Sequence, residues 1–149
     1  MNKKTGMIDV GEKETTVRIA KARATVRLNE KLVKMIKNND MPKGNVIETA
    51  RIAGIVAAKR TSELIPLCHN IELNRVGIDF FFKGKEIIVE AVAKAIAKTG
   101  VEMEVIVASS VAAITIYDMS KMFLRSIKIT NIELIEKRGG KSGVYKTKR

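Results

Sequence analysis

The chain has 149 residues, with 28 Lys+Arg against 16 Asp+Glu and a formal charge of +12. That length suits one domain with a sizeable core, a hydrophobic content of 46% excludes general disorder, and a single cysteine excludes an internal disulfide framework, as in an intracellular (cytoplasmic) protein. The charge favours an anionic partner or substrate, but four Phe, two Tyr and no Trp are few stacking platforms for a binder of single-stranded nucleic acid.

Residues 1–13 are polar and read as a flexible N-terminal segment, without the apolar run of a signal peptide. In KARATVRL, Ala22, Ala24, Val26 and Leu28 alternate with Arg23, Thr25 and Arg27, the period of a half-buried strand. Asn29 is a good helix N-cap, and EKLVKMIK places Leu32, Val33, Met35 and Ile36 in a short helix. NNDMPKG is a loop by composition. A second helix is expected from Asn45 to about Lys59, with Val46, Ala50, Ala53 and Ala57 on one face, small enough for close approach to a sheet. RTSELIPLCHN then reads as an irregular connection, because Pro66 lacks an N–H and biases Ile65 away from helix.

Val76, Ile78, Phe80 and Phe82 alternate, FKGKE turns, and Ile87, Val89, Ala91 and Ala93 alternate back, which predicts a β-hairpin. Beyond Lys98-Thr99-Gly100, the three- and four-residue steps of Val105, Ala108, Ala112, Ile116, Met119 and Phe123 predict a long helix. Its nearly apolar part, Val105 to Tyr117, is too short to span a bilayer. A last strand near Ile127 to Ile135 precedes a basic, glycine-rich tail over 138–149. This order predicts a single α+β domain over 1–149. It is the ferredoxin-like βαββαβ arrangement, an antiparallel sheet with helices on one face and an additional helix in the first crossover.

Three clusters are candidates for chemistry. Cys68 and His69, the only Cys and His in the chain, are adjacent. Neighbours on an extended chain point to opposite sides, and a structural zinc would want four ligands, so a buried Cys and a surface His at a turn is the default. Glu102 and Glu104 flank Met103 where the long helix begins, and the helix dipole is a sufficient reason for both. Residues two apart lie on different faces of a helix, so convergence on one ligand would need a non-helical start. Asp118 and Lys121 share a helix face, where a solvated ion pair is the default. At the end of an apolar stretch, partial desolvation would suit the pair to proton exchange. GGKSG lacks the first glycine of a phosphate-binding P-loop, since Ile135 stands there, yet Lys141 and the glycine backbone could still hold an anion.

Taken together, TARIAGIVAAKRTSELIPLCHNIEL, TGVEMEVIVASSVAAITIYDMSK and GGKSG resemble the cyclic pyranopterin monophosphate synthases, the C-proteins of molybdenum cofactor biosynthesis. The resemblance runs from about Met7 to Gly143, departing at Asn70, where Pro is usual, and at Val105, where Ala is common. It implies a lyase that rearranges a cyclised guanosine triphosphate derivative into cyclic pyranopterin monophosphate and releases pyrophosphate. It implies that Leu67, Cys68, His69, Met103 and Glu104 line the substrate pocket, with Glu102 close by. It makes Asp118 catalytic, with Lys121 and Lys43 beside it in the chemistry, and gives Arg18 and Lys137 to the phosphates; Lys141 is added to these. No redox change is needed, so neither a resident cofactor nor a bound metal is expected, although Mg2+ riding on the phosphates is compatible. The resemblance also implies a homo-hexamer with each pocket shared between neighbours, and no membrane. Lysines in such a crowd of positive charge are expected to have lowered pKa values. The competing class, a basic ferredoxin-like RNA-binding module, has the element order and charge but lacks the aromatic signature on the sheet.

Overall fold

The computed structural model describes residues 3–148, so Met1 and Asn2 of the N-terminal segment and Arg149 of the basic tail lie outside the described residues. Its elements are β1 (Thr16–Arg27), α1 (Glu30–Lys37), α2 (Val46–Lys59), α3 (Thr61–Leu64), β2 (Arg75–Lys83), β3 (Glu86–Ala97), α4 (Glu102–Ser120), β4 (Lys128–Arg138) and β5 (Tyr145–Lys146). They build one antiparallel sheet in the order β2-β3-β1-β4-β5, the ferredoxin-like arrangement with its longer first crossover.

Small side chains set the spacing of the layers. Ala20, Ala22 and Ala24 of β1 and Ala91, Ala93 and Ala95 of β3 are buried beneath Ala108, Ala112 and Ala113 of α4. Their size lets α4 lie close on the sheet. In α2, Gly54 is the point of closest approach. A Cβ there would run into Ile78 Cδ1 and lie 2.8 Å from the Ala108 carbonyl oxygen, so α2 and α4 fit together only around a glycine. The expected face of α2 therefore turns slightly: Val46, Ala50, Gly54, Ala57 and Ala58 are buried, and Ala53 is only half-buried.

The caps follow side-chain chemistry. Asn29 Oδ1 accepts from the Leu32 N–H at 2.8 Å, and Asn45 Oδ1 from the Glu48 N–H at 3.0 Å. Gly84, at φ +57°, makes the hairpin turn between β2 and β3.

Four expectations are corrected. β1 begins at Thr16, well before Ala22, because Val17 and Ile19 point to the face opposite Ala20 and Ala22; the apolar phase switches while the strand continues. The connection before Pro66 holds the single turn α3, and Ile65 leaves it extended at φ −111°, ψ 105°. The basic tail adds β5, which pairs Tyr145 with Lys137 and Lys146 with Glu136. Finally, α4 has 19 residues, long and apolar enough by composition to cross a membrane. It is nonetheless the central core helix, with Val105, Ala108, Ala112 and Ile116 fully buried within the protein.

Candidate functional site

The loop after α3, the loop before α4 and the first turn of α4 meet at one end of the domain. There a cavity of about 410 Å³ is lined by Leu67, Cys68, His69, Glu102, Met103 and Glu104, with Thr99 and Gly100 between them. An adjoining cavity of about 510 Å³ shares Lys13, Thr99, Gly100 and Glu102 and adds Arg18, Lys137 and Lys141. All nine residues expected to bind substrate thus border this adjoining pair of cavities, a hollow with the cations on one side and the imidazole, thiol and buried carboxyl on the other.

Two of these cations, Arg18 and Lys137, are held by their surroundings. Arg18 is 8% exposed and donates from Nε to the Ala97 carbonyl at 3.2 Å and from Nη2 to the Lys98 carbonyl at 3.0 Å. Of its five N–H groups, those on Nη1 stay available, and Nη1 faces Gly140. Gly139 and Gly140 have φ of +100° and +79°, and a Cβ on Gly140 would strike Arg18 Nη1. The GG pair is therefore the shape that lets the tail close over the guanidinium. Lys137 Nζ lies 2.7 Å from Glu102 Oε1.

The two glutamates converge without unwinding the helix, contrary to the geometric objection raised from their spacing. α4 starts at Glu102 with no side-chain cap, and the hollow wraps around its open end, so Glu102 and Glu104 border it from different sides. Glu104 is 4% exposed, and burial, aided by the nearby Glu102 charge, pushes its carboxyl above the usual range despite a backbone hydrogen bond that opposes the shift. Burial also raises the Cys68 thiol, and Glu104 adds to this, so Cys68 is a poor nucleophile near neutrality. His69 Nε2 hydrogen-bonds the Ile8 carbonyl oxygen at 2.6 Å, so the two neighbours do not form a dyad through that nitrogen.

The remaining candidates lie elsewhere. Lys121 Nζ is 2.7 Å from Asp118 Oδ1, and Lys43 Nζ is 3.5 Å from Asp118 Oδ2 and from the Asp118 carbonyl. Buried Met41 and Gly44, at φ +102°, shape the loop that carries Lys43 to the end of α4. These side chains are 44% (Lys43), 54% (Asp118) and 59% (Lys121) exposed, so the expected partial desolvation is absent. The hydrogen bond and charge of Lys121, then the charge of Lys43, lower the Asp118 pKa, and the same hydrogen bond to Asp118 raises that of Lys121. The expected lowering is thus reversed at Lys121, because its carboxylate partner is nearer than any like charge.

A rise of roughly 1.5 Å per residue puts about 21 Å of helix between Glu104 and Asp118. One subunit does not bring the two groups together. Sequence reasoning missed Lys13, Thr99 and Gly100 as lining residues and gave no role to Gly6, Ile8 and Val10, which form a further wall. Thr99 and Gly100 open the TGVEMEV motif, whereas Gly6, Ile8, Val10 and Lys13 lie in a segment read as a flexible terminus and carried no signal.

Among the described residues, no cluster of three or more His, Cys, Asp or Glu side chains is arranged to hold a metal. Residues 7–140 match the model of the MoaC family. The chain is 50% identical over 139 residues to a cyclic pyranopterin monophosphate synthase from Peptoclostridium acidaminophilum, covering 93% of this chain and 88% of that protein. A protein of the same name from Novosphingobium aromaticivorans is 49% identical over 140 residues, covering 94% and 89%. Molybdenum cofactor biosynthesis protein 1 of Drosophila melanogaster is 49% identical over 140 residues, 93% of this chain but 25% of that longer protein. With a family match across most of its length and near-full-length relatives at half identity, the chain belongs to the MoaC family.

Proposed function

We propose that the chain is a lyase of molybdenum cofactor biosynthesis that converts the cyclised guanosine triphosphate derivative into cyclic pyranopterin monophosphate and releases pyrophosphate. The observation that carries this reading is the divided lining of one hollow: Arg18, Lys137 and Lys141 on one side, His69, Cys68 and Glu104 on the other. The cations suit a triphosphate, and the groups opposite suit the hydrogen-bonding edge of a purine-derived ring. Burial makes Glu104 hold its proton more readily than an ordinary carboxyl, so it is suited to exchange hydrogen bonds with such an edge. Neither redox cofactor nor resident metal enters the reading, and the cytoplasm is its compartment.

Asp118, Lys121 and Lys43 are the proposed acid–base group. Proton transfer needs contacts of about 3 Å, far less than the length of α4. Ring and phosphate groups are both accommodated at the Glu102 end, so the substrate has no length left to reach Asp118 of the same chain. We therefore assign the acid–base group to a second copy, as a homo-hexamer with shared pockets requires. Exposed Ile52, Val56 and Ile114 on the outer helical surface support such an assembly. Contact with another copy would desolvate the Asp118–Lys pairs and bring their proton affinities toward one another.

The test is incubation of the purified chain with the cyclised nucleotide and assay of both products. Equal amounts of pyrophosphate and cyclic pyranopterin monophosphate are expected; unchanged nucleotide would refute the assignment.

A further inference from the structure

The segment before β1 is held in a defined path across the hollow. Asp9 Oδ1 accepts from the Gly11 N–H at 2.7 Å, and the Lys13 N–H donates to the Val10 carbonyl at 3.1 Å. Lys98 Nζ donates to the Gly11 carbonyl at 2.6 Å. The strap so pinned places Gly6, Ile8, Val10 and Lys13 along the cavity wall beside the 67–69 loop. Its polar contact with that loop is the Ile8 carbonyl oxygen, 2.6 Å from His69 Nε2.

A carbonyl oxygen can only accept a hydrogen bond, so His69 must carry its proton on Nε2 to make this contact. In the neutral ring that leaves Nδ1 with a lone pair. We propose that the Ile8 carbonyl acts as a positioning group, locking His69 in the Nε2–H tautomer so that Nδ1 receives an N–H of the substrate's purine-derived ring. The inference rests on the functional reading above and deepens it: it names the ring edge His69 recognises as a hydrogen-bond donor. It also gives the strap a task, since a free imidazole would divide itself between two tautomers, only one of which suits such an edge. Glu104 and Cys68 then complete the rim of polar groups around the same ring.

His69 is the only histidine, so its ring nitrogens can be read without ambiguity. In full-length protein labelled with 15N-histidine, at a pH where the ring is neutral, two-bond 1H–15N correlations should show Nε2 protonated and Nδ1 bare. A protonated Nδ1, or averaging of the two nitrogens in the wild-type chain, would overturn the proposal. The Asp9→Ala/Lys98→Ala double variant releases the two side-chain pins of the strap. Its ring should drift to the tautomer mixture of an unstructured peptide, and kcat/KM should fall by about tenfold, the size of one lost hydrogen bond. Should the double variant misfold, the single Lys98→Ala variant reads the same shift in smaller measure. Unchanged ring nitrogens in a folded variant would show that the strap does not set the tautomer. The spectra need no turnover, so a wild-type chain that has the Nε2–H ring but no synthase activity refutes only the functional reading. An active chain with the other tautomer refutes only this one.

Discussion

At one end of α4, Glu104 is buried under the 67–69 loop and the strap; at the other, Asp118 stands in solvent between two lysines. The same chemical group is pushed in opposite directions, Glu104 toward holding its proton and Asp118 toward losing it. The difference lies in what surrounds each carboxyl. The enclosed end is finished within one chain and, on the proposed reading, is where the substrate binds. The open end has its charges paired but not desolvated, and a second copy is what would enclose it.

The largest effect should come from the open end. If Asp118 carries a proton as proposed, Asp118→Asn should lower kcat by about 10²- to 10⁴-fold and change little the substrate binding proposed for the other end. Loss of binding with kcat retained would reverse the roles of the two ends. Lys43→Ala should act in the same sense, lowering kcat more than it weakens binding; the opposite split would make Lys43 a phosphate anchor.

A smaller effect is expected at the enclosed end from Gly140→Ala. The new methyl must occupy a positive-φ position and push against Arg18 Nη1, so the phosphate side loses its best-ordered cation. A rise in KM of roughly tenfold, with kcat nearly kept, is the expected signature. Equal losses in kcat and kcat/KM would instead place Arg18 in the transition state.

Smaller again is a pH effect on stability. Glu104 has a folded pKa above its unfolded value near 4.5, so the folded chain binds the proton more tightly. Its contribution is fully favourable below that unfolded value and is lost as pH rises through the folded one. Glu104→Gln keeps the neutral shape at every pH. Its Tm should exceed wild type by a few degrees at pH 7 and match it near pH 4. A variant less stable at pH 7 would mean that the charged form is the one the hollow accommodates. The slightest test is alkylation of Cys68 at pH 7.5, expected to be slower than that of a free cysteine because the thiolate is disfavoured.

Much of this was legible before any coordinates. The hairpin, the Asn29 cap and the long helix follow from local periodicity and capping chemistry, and the element order alone points to the ferredoxin-like sheet. What escaped depended on distant partners. The phase switch between Ile19 and Ala20 hid the first part of β1, since alternation presumes one buried face. The strap carries no periodic signal, and its bond to His69 spans 61 positions. At the site, the family resemblance named the members of the hollow, which residue types alone did not, and neither showed their environments. The solvation of Asp118 and Lys121 escaped the sequence because α4 is apolar around them, whereas in the structure Asp118 lies on the outward side of a last turn whose Met119 and Ser120 are buried.

The central claim, that the acid–base group of one copy completes the binding hollow of another, is tested most directly by mixing two crippled chains. Asp118→Asn and a His69→Ala/Lys137→Ala double variant, each nearly inactive alone, are combined and allowed to exchange subunits. If pockets are shared, random pairing restores about one quarter of the sites, because a mixed pair has one site free of either lesion. Activity that stays at the level of the separate variants, with exchange verified by mass, would contradict the account.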